Sequence, residues 1–450
     1  MKYSWLKTVF PIATIFSFRM LGLFMLIPVF TVFATQLEGA TPTLMGLALG
    51  SYGLTQGLLQ MPFGMLSDRF GRKPILTLGL LFFALGSLLG ALSHSIYMMI
   101  FARILQGTGA IGSVLIALLA DLTPDEQRTK AMAVIGMTIG LSFSLAMILS
   151  PALTSLFGLP GIFYLTTLLA LLGLLLLHLV IPTPSKQCFH VDSEANPSLF
   201  KSVIGNKHLQ RLNAGICLQH FILTATFYAI PILLQQQIKQ GHLNQQWHFY
   251  LPLMLCSFVF MIPFILLAEK KHLIKQIFII AVFLTTIVQF FLAFFSQYWL
   301  SLWPLMFIYF IAFNILEATL PSLVSKQADP NTKGTALGIY SSSQFLGIFL
   351  GGASAGLLYQ FNGNAAIFFA NAFLALCWLA IALFMKPDVY LSTLILPYSK
   401  NIKDISELAG RLKTLAGVKE LNIAHTEGVI YLQVDKASYQ EGSAAKLLQQ

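Results

Sequence analysis

Apolar runs of about twenty residues recur along the chain, near 10–35, 43–66, 74–93, 96–120, 131–157 and 160–182. They resume near 212–236, 248–268, 275–295, 298–324, 334–358 and 364–386. A membrane-crossing helix needs about 20 mostly apolar residues, so each run predicts one span. The pattern is six spans, a break, and six more. The break, Pro182 to Asn213, is too polar to cross a membrane and reads as a linker over 183–211. It separates an N-terminal half, 1–182, from a C-terminal half, 212–388. The predicted fold is therefore an all-α membrane protein with twelve transmembrane helices in two six-helix halves.

The pattern changes after Met385. Residues 390–450 read as soluble protein: YLSTLILP, a helical stretch NIKDISELAGRLKTLAGV, two β-like runs KELNI and GVIYLQV, and a polar, helix-prone end from Ala437 to Gln450. Ile405, Leu408, Leu412 and Leu415 recur at three- and four-residue spacing, which gives one apolar helical face. Gly417 stands where a helix would end. The order β-α-β-β-α predicts a small α+β ferredoxin-like domain lacking its last strand.

Composition agrees: 56% of residues are hydrophobic, only 10% are charged, and the mean hydropathy is +0.76. Soluble domains carry roughly 25% charged residues, so a soluble enzyme, a coiled coil and a disordered chain are excluded. The net charge of +10 would suggest nucleic acid in a soluble protein. Here its distribution says otherwise. With both termini inside, 24 of the 27 Lys and Arg fall in cytoplasmic segments; Lys239 alone lies in an outer loop, and Arg19 and Arg103 lie within spans. Basic loops are held on the cytoplasmic side, so this asymmetry supports the span count and both cytoplasmic ends. The first span is too long for a secretory signal and contains Arg19, so it is expected to be retained. Four cysteines, Cys188, Cys217, Cys256 and Cys377, have no short pairing interval, so neither disulfides nor a metal site is expected.

The strongest local motif follows span 2: Gly64-Met-Leu-Ser-Asp68-Arg69-Phe-Gly71-Arg72-Lys73-Pro74. A basic turn after an apolar helix would explain Arg69, Arg72 and Lys73, but not Asp68 or two glycines at this spacing. Glycines permit a sharp turn and a close helix approach, and a carboxylate is stabilised at the N-terminus of a helix. In span 4, Arg103, Gln106 and Gly107 share one helix face. Arginine in hydrocarbon costs at least about 2.5–3.5 kcal/mol, so Arg103 should face a partner or an aqueous cavity, unless it snorkels to the interface. Asp121 closes that span at the cytoplasmic side, near the expected place of Arg72.

Other polar positions interrupt the spans. Arg19 lies in span 1, His220 in span 7, and Asn314 and Glu317 on one face of span 10. Glu317, the only carboxylate near the middle of a span, reads as a proton carrier or substrate ligand, or else as the structural counter-ion of Arg19 or Arg103. His220 reads as a packing residue or a switch. In span 11, Gly347, Gly351, Gly352 and Gly356 form small-xxx-small patterns for close helix packing.

The loop from Gly64 to Pro74 and the Arg103–Gly107 stretch resemble the signature motifs of the major facilitator superfamily. The resemblance implies that Asp68 sits against the start of span 11, near Lys333-Gly334-Thr335, and that Asp68, Arg72 and Asp121 exchange partners during transport. Antiporter-type members carry a Gly-rich stretch around a proline in span 5. Here it is Ala146-Met-Ile-Leu-Ser150-Pro151-Ala152, with glycines replaced by other small residues and Pro151 still able to bend the helix. The second-half counterpart of the loop, Glu269-Lys270-Lys271-His272, is degraded. Wording along the whole chain, from FSFRMLG through AFN..EA.LPSL to KGTA.G.YS.SQFLG, resembles the YajR-type transporters of Gram-negative bacteria. These also carry a cytoplasmic ferredoxin-like domain. The tail resembles heavy-metal-associated domains in outline, but residues 390–450 contain no Cys to supply a thiolate site.

These features predict a secondary transporter in the bacterial inner membrane, moving a small molecule by alternating access. No Walker loop is present, which leaves an ion gradient, protons first, as the energy source. The resemblance implies proton-coupled efflux. Uptake of an anionic solute is an alternative, because Arg19, Arg103 and Glu317 leave one positive charge in excess. A sensor signalling through the tail is another. An enzyme is not expected, nor any cofactor, metal or nucleic acid. The expected partners are lipid, solute and protons, with the tail binding an unknown ligand or the protein's own membrane core.

Overall fold

The computed structural model describes residues 5, 8–184, 196–270, 273–329, 332–385, 391–397, 405–424, 429–435, 439–440 and 442–448. Cys188 and Lys386 lie outside them, as do the side chains of Glu269 to His272, much of the linker and parts of the tail. The chain is overwhelmingly helical: α1 (Val9–Phe24), α2 (Phe30–Phe33), α3 (Pro42–Phe70), α4 (Arg72–Ala91), α5 (Ile96–Thr108), α6 (Gly112–Leu122), α7 (Asp125–Leu179), α8 (Phe200–Gly205), α9 (Lys207–Lys239), α10 (Trp247–Lys270), α11 (Ile274–Phe295), α12 (Trp299–Gln327) and α13 (Lys333–Leu383). Thr41, Ser95 and Asn206 cap α3, α5 and α9 by accepting bonds from otherwise orphaned backbone N–H groups.

Among the described residues, eight helical segments are long and apolar enough to cross a membrane. Two of them, Lys130–Leu179 and Lys333–Leu383, have 50 and 51 residues. At about 1.5 Å per residue each is roughly twice as long as a bilayer core is thick. Each is broken. Gly158 (φ 64°) interrupts α7, and Asn362 with Gly363 (φ 61°) interrupts α13. The sequence runs anticipated separate segments here; the structure joins each pair through a one- or two-residue corner. Two expected single spans are conversely divided. The first loses regular helix at Met25–Val29, around Pro28, which has no backbone N–H to donate. The fourth breaks between α5 and α6 at Gly109, where a Cβ would come within 2.5 Å of the Gly79 carbonyl.

Features recur along the chain at an offset of about 200 residues. The corners at Gly158 and Gly363 correspond. So do two lysine contacts: Lys73 Nζ donates to the Ile181 carbonyl at 2.6 Å, and Lys275 Nζ to the Met385 carbonyl at 2.6 Å. The cores are shared unevenly. At the end carrying the 37–41, 92–95 and 240–246 turns, one apolar cluster joins Leu26, Phe30 and Met45 to Phe227, Tyr250 and Phe310. Tyr228 Oη donates to the Pro42 carbonyl there at 2.9 Å. Toward the other end each half has its own cluster, apart from Phe345 and Ile348, which enter the N-terminal one. Outward faces remain apolar: Leu81, Leu85, Phe260, Phe290, Phe294 and Phe373 are exposed, a surface suited to lipid.

Helix α13 joins the halves. One side meets α9, where a Cβ at Gly347 or Gly351 would overlap the carbonyls of Cys217 and Phe221. Another side meets α3, where a Cβ at Gly50 would stand 2.7 Å from the Phe349 carbonyl and one at Gly53 2.6 Å from that of Phe345. The described tail residues form β1 (Leu391–Pro397), α14 (Ile405–Lys413), β2 (Val418–Ala424), β3 (Val429–Asp435) and α15 (Ser443–Leu448), with antiparallel sheet order β1-β3-β2. Leu412, Ile430, Leu432, Val434 and Ala444 make its core.

The α3–α13 seam yields a test. Gly50→Val forces a side chain into backbone and should cost about 1–3 kcal/mol. Gly136→Ala, with nothing within 4 Å of its Cβ, should leave the thermal unfolding of the purified protein nearly unchanged.

Candidate functional site

Among the described residues, three polar groups built around charged side chains interrupt the apolar helices. The first surrounds Arg72, at the turn between α3 and α4. Gly71 makes that turn with φ 100°, a conformation that disfavours any residue with a Cβ. Arg72, 1% exposed, donates to Asp68, to Ser67 Oγ at 2.7 Å and to Asp121 at 2.9 Å. Asp121 has a fully buried side chain, whereas that of Asp68 is 38% exposed. The loop residues Asp68 and Arg72 are thus brought together with Asp121 from α6. Gly64 faces Ser113, with its Cβ position 3.3 Å from Oγ. Arg69 stacks toward Phe70 at 5.4 Å, away from the pair.

The second group lies deeper in the N-terminal half. Arg19 of α1 and Arg103 of α5 are each 1% exposed. Tyr52 of α3 stands between them: Arg19 Nη2 donates to its hydroxyl at 3.1 Å, and the Arg103 guanidinium lies over its ring at 4.8 Å. Arg103 also donates to Gln106 Oε1 at 2.5 Å, and Gln106 in turn donates to Ser87 of α4 at 2.8 Å. Gly107 lets α5 approach the backbone of α3 at Tyr52. On α3, Gln56 donates to Gln60, and Gln60 to Ser341 of α13 at 2.8 Å.

The third group belongs to the C-terminal half. The Glu317 carboxylate of α12 accepts from Gln219 of α9 at 3.1 Å and from Gln344 of α13 at 3.5 Å. The same Gln344 amide nitrogen is 2.8 Å from His220 Nε2, and His220 Nδ1 is 3.3 Å from the Ile216 carbonyl. This arrangement fits a neutral imidazole whose Nδ1–H points at the backbone and whose Nε2 accepts. Glu317 Oε2 is 3.8 Å from that Nε2. Two proton acceptors therefore face each other under a shared amide donor, and the Glu317 side chain is 34% exposed. Asn314, three residues away, turns to Ser257 of α10 at 3.3 Å and is not part of this group. Neither arginine contacts Glu317 through any described interaction.

Two further expected positions lie outside these three groups. Pro151 lies inside α7, beside Ser150, which donates to the Met25 carbonyl next to the break in the first span. Lys73 is engaged with the end of α7. Among the described residues no group of three or more His, Cys, Asp or Glu could hold a metal ion.

The chain matches the Major Facilitator Superfamily over residues 12–352 and 253–410. It belongs to that superfamily. It is 41% identical over 426 residues to the inner membrane transport protein YajR of Escherichia coli (strain K12), covering 94% of this chain and 93% of the relative. It is 33% identical over 155 residues to the class H tetracycline resistance protein of Pasteurella multocida, covering 34% of this chain and 38% of that one. Among solved structures, the human organic anion transporter MFSD10 (TETRAN) shares its fold with a TM-score of 0.61 at 20% identity, over 84% of this chain and 99% of the other. A point mutant of the nucleoside transporter NupG does so with a TM-score of 0.64 at 16% identity, over 84% of this chain and 99% of the other. The superfamily protein is thus a multi-pass membrane transporter and not an enzyme.

Several residues in these groups escaped the sequence reading. Tyr52, Gln56 and Gln60 recur every four residues along α3, a one-face polar stripe that periodicity alone could have flagged. Gln219 and Gln344 carried no such signal, because an isolated glutamine gains meaning only from what it touches. The Arg72 group gives a prediction for this superfamily member. Removing one partner of a buried pair costs about 3–5 kcal/mol. Asp121→Asn should therefore lower thermal stability by about that amount, and Asp68→Asn by less, because water already screens its exposed carboxylate.

Proposed function

We propose that the protein is a proton-coupled antiporter that exports a small solute across the inner membrane by alternating access. The observation that carries this reading is the Glu317–His220 pair. A carboxylate oxygen and an imidazole nitrogen 3.8 Å apart, both accepting from Gln344, make a place where one proton can be loaded and released. His220, Gln219, Gln344 and Tyr340 are the groups that face Glu317. Likeness to a tetracycline resistance protein over about a third of the chain favours export.

The twelve-span count goes with this reading. Dividing the two overlong helices at Gly158 and Gly363, and adding α3 and the α1–α2 segment, turns the eight long apolar helices into twelve spans. The proposed units remain 1–182, 183–211, 212–388 and 390–450, with the basic segments and both termini in the cytoplasm. In that orientation the apolar cluster drawn most evenly from both halves lies at the outer end, in keeping with an inward-facing state. The order β1-β3-β2 with two helices supports a ferredoxin-like tail whose fourth strand is missing. Residue pairs along the antiparallel α3–α13 seam, from Gly50–Phe349 to Gln60–Ser341, keep a nearly constant register. Extended to Asp68, that register reaches the first residues of α13, in keeping with a carboxylate that meets a helix N-terminus when the cytoplasmic end closes. Asp68, Arg69, Arg72, Lys73 and Asp121 would form that conformational latch.

Two measurements test the proposal. In a cysteine-free background, Ser198→Cys and Gln440→Cys should resist an impermeant maleimide in intact spheroplasts and react after permeabilisation; labelling from outside overturns the orientation. In proteoliposomes, Glu317→Gln should abolish solute accumulation driven by a pH gradient while solute exchange at equal pH persists. Full gradient-driven transport by that variant removes Glu317 from coupling.

A further inference from the structure

We infer that Arg19 and Arg103 form the binding site for an anionic oxygen group, a carboxylate or a phosphate, on the transported solute. The inference rests on the transporter reading above and adds the chemical class of the solute. Both guanidinium groups are 1% exposed in the interior of the N-terminal half. A buried cation normally has an acid beside it. Described acidic groups of the helices are committed elsewhere: Asp68 and Asp121 to Arg72, Glu317 to the amides of Gln219 and Gln344. What surrounds the arginines is neutral: the Tyr52 hydroxyl and ring, Gln106, Gln60 and the bare backbone of Gly112.

The hydrogen bonding is also incomplete. Arg19 Nε, Arg19 Nη1 and Arg103 Nε are buried with no acceptor. Unmet donors on a buried ion are costlier than on a neutral group, so the site requires an acceptor that the described residues do not supply. An oxyanion answers both deficits at once, since it brings charge and several lone pairs. Gly112 brings bare backbone up against the arginine. A Cβ there would stand 3.2 Å from Arg19 Nη1 and 3.9 Å from Gln60 Oε1.

The site is roofed by the other half. Phe345 of α13 packs on Tyr52 at 6.4 Å between ring centres, and Ser341 accepts from Gln60. Gln344, next to Phe345 in sequence, is the amide shared by Glu317 and His220. Adjacent residues of one helix thus cover the arginines and bridge the proton acceptors. Displacing α13 opens the anion site and breaks the proton site in the same motion.

The test reads binding, without a gradient, on the purified full-length chain at constant pH and ionic strength. Its melting temperature is titrated with inorganic phosphate, succinate and benzoate, with succinamide and tetraphenylphosphonium as neutral and cationic controls. At least one anion should raise the melting temperature saturably and the controls should not. Arg19→Gln and Arg103→Gln should each weaken that anion at least tenfold, with partial recovery in the Lys variants. Tyr52→Phe keeps the ring but removes the hydroxyl that holds Arg19, so it should weaken binding even if the glutamine variants fail to fold. Stabilisation by none of the anions, equal stabilisation by the controls, or unchanged anion binding in Tyr52→Phe and the arginine variants overturns the inference. If anion binding behaves as stated but Glu317→Gln still accumulates solute on a pH gradient, the anion site stands and proton coupling through Glu317 falls.

Discussion

Helix α13 touches α3 and α9 at backbone distance, and the rest of the molecule is arranged around that contact. In hydrocarbon there is little hydrophobic force between helices, so association depends on close van der Waals packing. Small residues supply it on two sides of α13, with Gly347 and Gly351 toward α9 and Gly352 and Gly356 toward α3. Since α3 and α9 belong to different halves, one helix decides how far the halves are joined. The same helix carries Ser341, Gln344 and Phe345 into the interior.

Charge is distributed unequally across that seam. The N-terminal half holds two buried arginines with neutral company, and the C-terminal half holds a carboxylate beside an imidazole. The charged groups of the two sides thus differ in chemistry as well as in sign. An ion in a low-dielectric interior is expensive unless something answers it. Arg72 is answered by two aspartates from its own chain at the helix ends. Arg19 and Arg103 are not, and a ligand can exploit what is left over.

Much of the architecture was legible in the sequence because bilayer thickness and the placement of basic residues are one-dimensional constraints. Runs of apolar residues marked the helices, and the motif around Asp68 and Arg72 marked the turn that Gly71 permits. Asp121 could be placed opposite Arg72 because both lie at the same end of adjacent helices. The breaks at Pro28 and Gly109 were not read, although both residues were visible, because a proline or glycine interrupts a helix only where neighbours stabilise the interruption.

The grouping of the polar residues is a different matter. Sequence alone determined that Arg19, Arg103, His220 and Glu317 would lie within predominantly apolar helical runs. It left open whether Glu317 neutralises an arginine. Only the tertiary structure decided that Glu317 faces His220, that Asn314 turns away from it to α10, and that Tyr52 and not a carboxylate stands between the arginines. The physical reason is that helical periodicity fixes which residues share a face, whereas the partner of that face is set by packing between helices far apart in the chain.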